Sequence, residues 1–193
     1  MKKLKVVLLS GLLVLNLVSC TFTPNEAIYD SLSFPEIEIG PEIHDIFVVA
    51  PFEILDAASD AELAEISVMV QGAQEYFDNT ELTLGLETIY FAPLRGEYFH
   101  GRQEMMIMGA FVNRLSTPIS TLAGEVRMQV DAPNVQIATS NVSFPAEFIG
   151  VLQPNEALLI SFTAPVRGLY EDQIFEAFQF KAEINDIIVT IYE

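Results

Sequence analysis

The sequence is poor in cysteine, histidine and basic residues, and each shortage argues against a class of function. Its 193 residues include one cysteine and two histidines, with 27 acidic residues against nine basic ones. A single cysteine cannot form an internal disulfide. No lysine or arginine lies between Lys5 and Arg95, and the formal net charge is -18 at pH 7. Such a surface repels nucleic-acid phosphates and anionic lipid headgroups, so we expect no nucleic-acid partner.

The familiar sequence signatures of catalysis are also missing. The chain has no Gly-x-Ser-x-Gly elbow, no His-Glu-x-x-His motif and no phosphate-binding loop. His44 and His100 each have only acidic residues as further possible ligands near them in sequence, whereas zinc sites usually need three or four converging ligands. We therefore expect no catalytic residue, no metal and no cofactor. Two alternatives stay open: a hydrolase that uses a pair of carboxylates, and weak calcium binding by acids such as Glu171 and Asp172.

What the chain does have is an N-terminus built like an export signal. Lysines at positions 2, 3 and 5 precede an apolar run from Val6 to Val18, which is the pattern of a signal peptide. The run is shorter than the roughly 20 apolar residues that a membrane-spanning helix needs. It ends in Leu17-Val18-Ser19-Cys20, which resembles the lipobox of bacterial lipoproteins. An uncleaved anchor and an ordinary secretory signal are the alternatives.

The lipobox resemblance implies a modification and a location. Residues 1–19 would be the signal peptide, cut between Ser19 and Cys20, and Cys20 would carry fatty-acyl chains such as palmitate. Two acyl chains hold a protein stably on a bilayer. We therefore expect a protein that is lipid-anchored at the cell membrane and faces outside the cytoplasm, with the membrane as its first partner.

Residues 20–57 are predicted to form the lipidated N-terminus and an acidic tether. Pro24, Pro35 and Pro41 interrupt this stretch and prevent a regular helix. The last part, Ile43–Ile54, is apolar enough to pack on the domain as an extended segment.

Residues 58–78 are predicted to form a helix that starts near residue 60. Ser59 followed by Glu62 is the capping-box pattern that begins many helices. Apolar residues then recur at every third or fourth position, which places them on one helical face. They are Leu63, Ile66, Val70, Ala73 and Phe77.

From residue 79 to residue 193 the apolar pattern alternates, which is typical of β-strands. The strand candidates are 82–91, 105–112, 126–130, 135–144, 158–162 and 178–192, the last with a turn at Asn185-Asp186. Met105–Val112 is apolar on both faces and so predicts a central strand. We predict a mainly β fold, an immunoglobulin-like antiparallel β-sandwich of seven or eight strands preceded by one α-helix.

Part of this region resembles small extracellular immunoglobulin-like domains of bacteria, the SLAP and FxLYD types. The likeness is carried by Phe111–Ile119, by the strand Glu125–Val130 and by the connector Leu152–Ala157. These domains share a strand that ends in asparagine, a paired strand and a proline-containing connector. The resemblance implies display on a cell envelope and brings no catalytic residues.

The segment Arg95–Arg102 is our candidate recognition loop. It gathers two basic and three aromatic residues at a predicted hairpin tip, in a chain otherwise almost free of arginine. They are Arg95, Tyr98, Phe99, His100 and Arg102. In the alternative, Tyr98 and Phe99 fold back on the core.

These patterns together predict a lipid-anchored, surface-exposed binding or structural module of the bacterial cell envelope. It would act through contacts with an envelope protein or a cell-wall polymer. An envelope-polymer hydrolase that uses carboxylates and a cation-binding lipoprotein are the alternatives.

Overall fold

The computed structural model describes residues 19–21, 46–80, 82 and 84–192, the first three as backbone only. The predicted signal peptide up to residue 18 and the predicted tether over residues 22–45 lie outside the described residues. The strands are β1 (Ser19–Thr21), β2 (Phe47–Val49), β3 (Ile89–Phe99), β4 (Glu104–Asn113), β5 (Ile119–Val130), β6 (Gln136–Ile137), β7 (Thr139–Phe144), β8 (Glu156–Arg167), β9 (Gln173–Glu176) and β10 (Phe180–Ile191). The helices are α1 (Phe52–Ala57), α2 (Asp60–Asn79), α3 (Ala146–Ile149) and a 3-10 helix at Ala177–Gln179.

The strands form two sheets that pack face to face. One sheet has the order β1-β7-β5-β10, and the other has the order β2-β8-β4-β3-β9, with β6 paired to the end of β8. Neighbouring strands are antiparallel, except that β2 runs parallel to β8. The chain makes a hairpin in one sheet and then crosses to the other, as in immunoglobulin-like sandwiches. The predicted fold class, a mainly β sandwich, is confirmed.

The two ends of the sandwich carry different parts of the chain. At one end, which we call the root, the chain enters β2 from Ile46 and β4 ends at Asn113. At the opposite end, which we call the tip, residues 99–103 of the β3–β4 hairpin lie beside residues 167–172, which follow β8. β4 has 10 residues, so tip and root are roughly 30 Å apart.

Strand β4 is central and buried on both faces, as predicted. Ile107 and Phe111 on one face join the core between the sheets. Ala110 and Val112 on the other face pack with Phe77 of α2. The six-stranded sheet is therefore covered by the second sheet on one side and by a helix on the other.

The predicted helix and its cap are confirmed. α2 spans Asp60–Asn79, and the Glu62 carboxylate accepts hydrogen bonds from the Ser59 backbone N–H at 2.8 Å and from the Ser59 hydroxyl at 2.6 Å. The hydroxyl bond, followed by the backbone bond, lowers the pKa of Glu62 below its usual value. The cap therefore stabilises the helix near neutral pH and weakens when acid protonates Glu62.

The alternating leucines of residues 82–86 are not a strand, contrary to the prediction. Leu82 and Leu84 pack against the cluster beneath α2, and β3 begins only at Ile89. The backbone N–H of Gly85 donates to the Tyr90 hydroxyl at 2.6 Å. The leucines thus fill the space between helix and sheet instead of joining a ladder.

Turn-forming residues lie inside strands at two places, one of them the predicted turn at Asn185-Asp186. β3 runs through Pro93 with a register shift between Pro93 and Arg95. β10 runs through Asn185-Asp186 with a shift between Asn185 and Ile188, and Asp186 has a φ of 52°. A bulge absorbs an extra residue without ending the strand. The turn-forming residues therefore mark bulges at these places, and the predicted turn at Asn185-Asp186 is wrong.

The folded body begins earlier than predicted. Phe47–Val49 pairs with β8, and α1 follows it at Phe52–Ala57. Residues 46–57 therefore belong to the body and not to the tether. The predicted extended packing of Ile43–Ile54 holds for residues 46–51 and is wrong for residues 52–54, which begin α1. Two helices precede β3, where one was predicted.

We expect Gly109→Ala to destabilise the protein and Gly72→Ala to stabilise it. A Cβ at Gly109 would lie 2.5 Å from the Phe91 ring and 2.9 Å from the Ala92 carbonyl oxygen, and overpacking of this kind costs about 1–3 kcal/mol. A Cβ at Gly72 on α2 meets nothing within 4 Å, and alanine favours a helix by about 0.5–1 kcal/mol over glycine. Urea midpoints should move in opposite directions. A midpoint for Gly109→Ala at or above that of the wild type would contradict the packing of Phe91 on β4.

Candidate functional site

The tip is closed by backbone hydrogen bonds within the β3–β4 hairpin. The N–H of Arg102 donates to the Phe99 carbonyl at 3.1 Å, and that of Gln103 donates to the His100 carbonyl at 3.2 Å. The N–H of Val166 in turn donates to the Gln103 carbonyl at 2.9 Å. The hairpin is therefore fixed to β8 and does not stand free.

Two further bonds join the hairpin to residues 169–172. The N–H of His100 donates to the Asp172 carboxylate at 2.7 Å, and the Tyr98 hydroxyl donates to the Leu169 carbonyl at 3.3 Å. Asp172, considered above for calcium, thus helps to hold the hairpin. The two loops form one continuous surface.

The prediction of one exposed loop over Arg95–Arg102 is wrong. β3 continues to Phe99, so that Arg95 is an exposed strand residue opposite Glu176. Tyr98 is only 1% exposed and belongs to the core. The reason lies at Gly96, where a Cβ would lie 2.5 Å from the Phe180 ring. This glycine serves close packing between the sheets and not a turn.

The remaining three predicted residues do lie together at the tip. The Arg102 guanidinium lies over the Phe99 ring, 4.4 Å from its centroid. His100 and Arg102 are exposed, and Phe99 is half-buried beneath the guanidinium. The candidate surface at the tip is therefore smaller than predicted and consists of Phe99, His100 and Arg102.

Tyr170 belongs to the same surface and was missed. Its side chain is 85% exposed in the loop that contacts the hairpin. An aromatic residue between Gly168 and two acids was the available signal in the sequence. Exposed rings and a guanidinium can stack on planar or ring-shaped groups and donate hydrogen bonds to them.

The tip differs in charge from the helical side of the body. α1 and α2 contain acidic residues and no lysine or arginine. The tip and its border carry two arginines, Arg102 and Arg167, together with two acids, Glu171 and Asp172, and all four are exposed. Basic, acidic and aromatic groups thus lie together at this end of a strongly acidic protein.

A buried polar centre at the root was also missed. Asn113 is 0% exposed, and its Nδ2 donates to the carbonyls of Thr117 and Leu152, each at 3.1 Å. Its Oδ1 accepts from the Leu115 N–H at 3.0 Å. The Asn113 side chain therefore bonds both to the loop that precedes β5 and to the loop that precedes β8.

Arg114 follows directly and is 3% exposed. Its Nη1 donates to Oδ1 of Asn155, whereas Nε and Nη2 have no partner in the described part of the chain. Burial lowers the pKa of Arg114, and Tyr90 opposes this effect more weakly. The signal in the sequence was a polar pair, Asn113-Arg114, directly after the apolar run of the predicted strand Met105–Val112.

The described residues offer little for metal or catalytic chemistry. Within them, no three His, Cys, Asp or Glu side chains are grouped so that they could hold a metal ion. His44 and its acidic neighbours lie outside the described residues. A crevice between α1, α2 and the six-stranded sheet has a largely apolar lining that includes Ile54, Ile66 and Met108. The crevice therefore provides packing and no reactive group.

None of the helices in the described ranges combines the length and apolar character needed to cross a membrane. Comparison with known proteins gives no relative: no family model, no curated protein and no solved structure matches this chain. Function must therefore be argued from the tip and from the N-terminal sequence.

Proposed function

We propose that this protein is a lipid-anchored, outward-facing binding or structural module of the bacterial cell envelope and that the tip is its contact surface. The observation that carries the proposal is the Arg102 guanidinium stacked on the Phe99 ring, with the exposed Tyr170 in the loop that is bonded to the same hairpin, in a chain of net charge -18. Isolated exposed aromatic residues are common, but a joined aromatic and cationic surface is typical of recognition sites.

The proposed anchor and the tip hairpin lie on different sheets. The backbone of Ser19–Thr21 lies at the edge of the four-stranded sheet, with Cys20 opposite Ser140 of β7. The hairpin of the tip belongs to the six-stranded sheet. Ser140 also pairs with Val126, four residues before the tip end of β5, so a lipid on Cys20 would be attached in the tip half of the sandwich but on the other sheet.

The charges of the body restrict the partner. An acidic surface repels anionic headgroups, so the membrane is reached through the lipid and not through the protein surface. The tip suits an envelope protein or a cell-wall polymer that presents rings or peptide planes to Tyr170 and acceptors to Arg102. This agrees with the envelope display implied by the SLAP and FxLYD resemblance.

Site-specific crosslinking on intact cells tests the role of the tip. A photo-crosslinking amino acid placed at Tyr170 of the full chain should capture one defined envelope component. The same amino acid at Val68, which is 70% exposed on α2, should not capture it. Adding Arg102→Ala should reduce capture from position 170 several-fold. Equal capture from both positions, or none from position 170, would contradict a recognition role for the tip.

The anchor is tested separately by mass analysis of the purified protein. We expect acyl chains on an N-terminal Cys20, and we expect Cys20→Ser to leave the membrane fraction. An unmodified Cys20 would refute the anchor whatever the tip binds.

A further inference from the structure

Strand β10 leaves one edge of the four-stranded sheet open. Within the described residues it pairs only with β5. Its last part and the residue after it, 187–192, contain no charge, proline or glycine. Ile188 is 69% exposed, Ile191 53% and Tyr192 54%. An exposed, uncharged edge rich in β-branched residues is a template for another strand.

The other strand edges in the described part of the chain are short, interrupted or covered. β1 and β2 have three residues each and β9 has four, and the open part of β3 contains Pro93 and a bulge. The open part of β8, residues 159–164, has mostly buried side chains. The first half of β10 carries Lys181, Glu183 and Asp186 and a bulge of its own. Short length, proline, charge and bulges are the features that prevent edge pairing. Residues 187–192 extend from a strand of 12 residues and contain no proline or charge, and they have one register shift, at Ile191.

The charge distribution indicates what covers this edge. A cationic partner would be attracted to the acidic helices α1 and α2 and not to an uncharged strand. For two copies of a chain with net charge -18, the uncharged strand is the surface of closest approach with least repulsion. A second copy also brings a strand of matching length and composition. Self-complementary twofold contacts of this kind are the commonest in homo-oligomers.

We propose that residues 187–191 pair antiparallel with the same segment of a second copy, so that the two four-stranded sheets become one continuous sheet. With the twofold axis at Val189, that residue faces itself and Ile188 faces Thr190. Ile188 and Thr190 are both exposed, whereas Val189 packs against the core. For these central pairs the register therefore matches outer with outer and inner with inner residues, as the pleat of a sheet requires.

The same register determines the shape of the dimer. β10 ends at the root, where Ile191 lies opposite Ile119 of β5. Pairing about Val189 therefore brings the two roots to the centre and directs the two tips outward in opposite directions. Both contact surfaces stay free, so the dimer is compatible with the proposed function without depending on it.

The association is expected to be weak in dilute solution. A pair of short strands buries less area than the roughly 1,200–2,000 Å² of stable interfaces. The repulsion between two acidic bodies weakens it further, so dimerisation should increase when salt screens the charges.

Disulfide trapping of the full chain in membranes tests the proposal. Oxidation of Val189→Cys should give covalent dimers, because the two cysteines face each other. Ile174→Cys, 47% exposed on β9, is the matched control and should give no more dimer than the wild type, which sets the baseline for Cys20. Adding Ile188→Lys to Val189→Cys should lower the dimer yield at least tenfold, whereas adding Val68→Lys should leave it unchanged. Because lysine reduces the net negative charge of each copy, the lower dimer yield cannot come from stronger repulsion between the two acidic bodies.

A trapping yield for Val189→Cys no higher than for Ile174→Cys would overturn the proposal, and so would insensitivity to Ile188→Lys. If residues 22–45 of the same chain occupied the edge, Val189→Cys would also give no more covalent dimer than Ile174→Cys. If Val189→Cys does not fold, the same contact can be tested with Ile188→Cys and a short bifunctional maleimide that joins the two cysteines. Absence of this crosslinked dimer would equally contradict the proposal.

Discussion

Asn113→Ala should lower the free energy of unfolding by about 3 kcal/mol. The substitution leaves the Thr117 carbonyl and the Leu115 N–H without the partners they have in the native state, and each unpaired buried group costs about 1–3 kcal/mol. The Leu152 carbonyl is less affected, because it also accepts from the Ile119 N–H at 3.0 Å. The large effect follows from one fully buried side chain that bonds to two loops.

Chemical unfolding of Asn113→Ala measures this cost. Asn141→Ala, at an exposed position on β7, is the matched control and should change stability by less than about 0.5 kcal/mol. If the two variants unfolded at the same denaturant concentration, the network around Asn113 would have no energetic role.

Gly168→Ala should have a comparable effect at the other end of the sandwich, about 3 kcal/mol or more. Gly168 has a φ of 91°, which costs an L-residue roughly 1–2 kcal/mol. An added Cβ would also collide with the carbonyl oxygen of Asn134 and lie 3.1 Å from Cα of Val135. Backbone cannot move aside as a flexible side chain can, so overpacking adds about 1–3 kcal/mol.

The position of Gly168 extends this effect to function. The next residue, Leu169, accepts the hydrogen bond from Tyr98, and Tyr170 follows. Gly168→Ala should therefore also abolish crosslinking from position 170. Gly101→Ala is the control at the same end, because a Cβ there meets nothing within 4 Å. Thermal unfolding should separate the two variants by many degrees, and equal melting temperatures would show that the loop after β8 is free to rearrange.

Features that depend on residues close together in the sequence could be predicted. The cap formed by Ser59 and Glu62, the helix that follows and the double-sided strand β4 were all confirmed. A helix cap needs three or four residues, and a strand buried on both faces is recognised by its own composition. Each of these signals is complete within a single element.

Features that depend on the neighbouring strand could not be predicted. Pro93, Gly96 and Asn185-Asp186 look like turn residues in isolation, but bulged pairing with β4 and β5 keeps them within strands. In the sequence, Tyr98 looks like an aromatic residue of a loop. In the structure, β3 pairs with β9 and Tyr98 lies in the core. The leucines at positions 82 and 84 have strand periodicity and yet pack beneath a helix.

The candidate site divides in the same way. The sequence alone showed that basic and aromatic residues are concentrated between positions 95 and 102. Only the fold showed that Tyr98 is buried, that Arg95 lies on strand β3 away from the tip and that Tyr170 lies in the loop beside the hairpin, because the two contributing loops are far apart in the chain.

By itself the sequence determined the strongly acidic character, the single cysteine, the capped helix and the alternating strands, and it predicts the export signal, since these are properties of composition and local periodicity. The tertiary structure decided which strand ends share the tip, which polar residue is buried at the root and which edge of the sheet stays open. Those outcomes depend on pairing between residues distant in sequence, and no local pattern specifies such pairing.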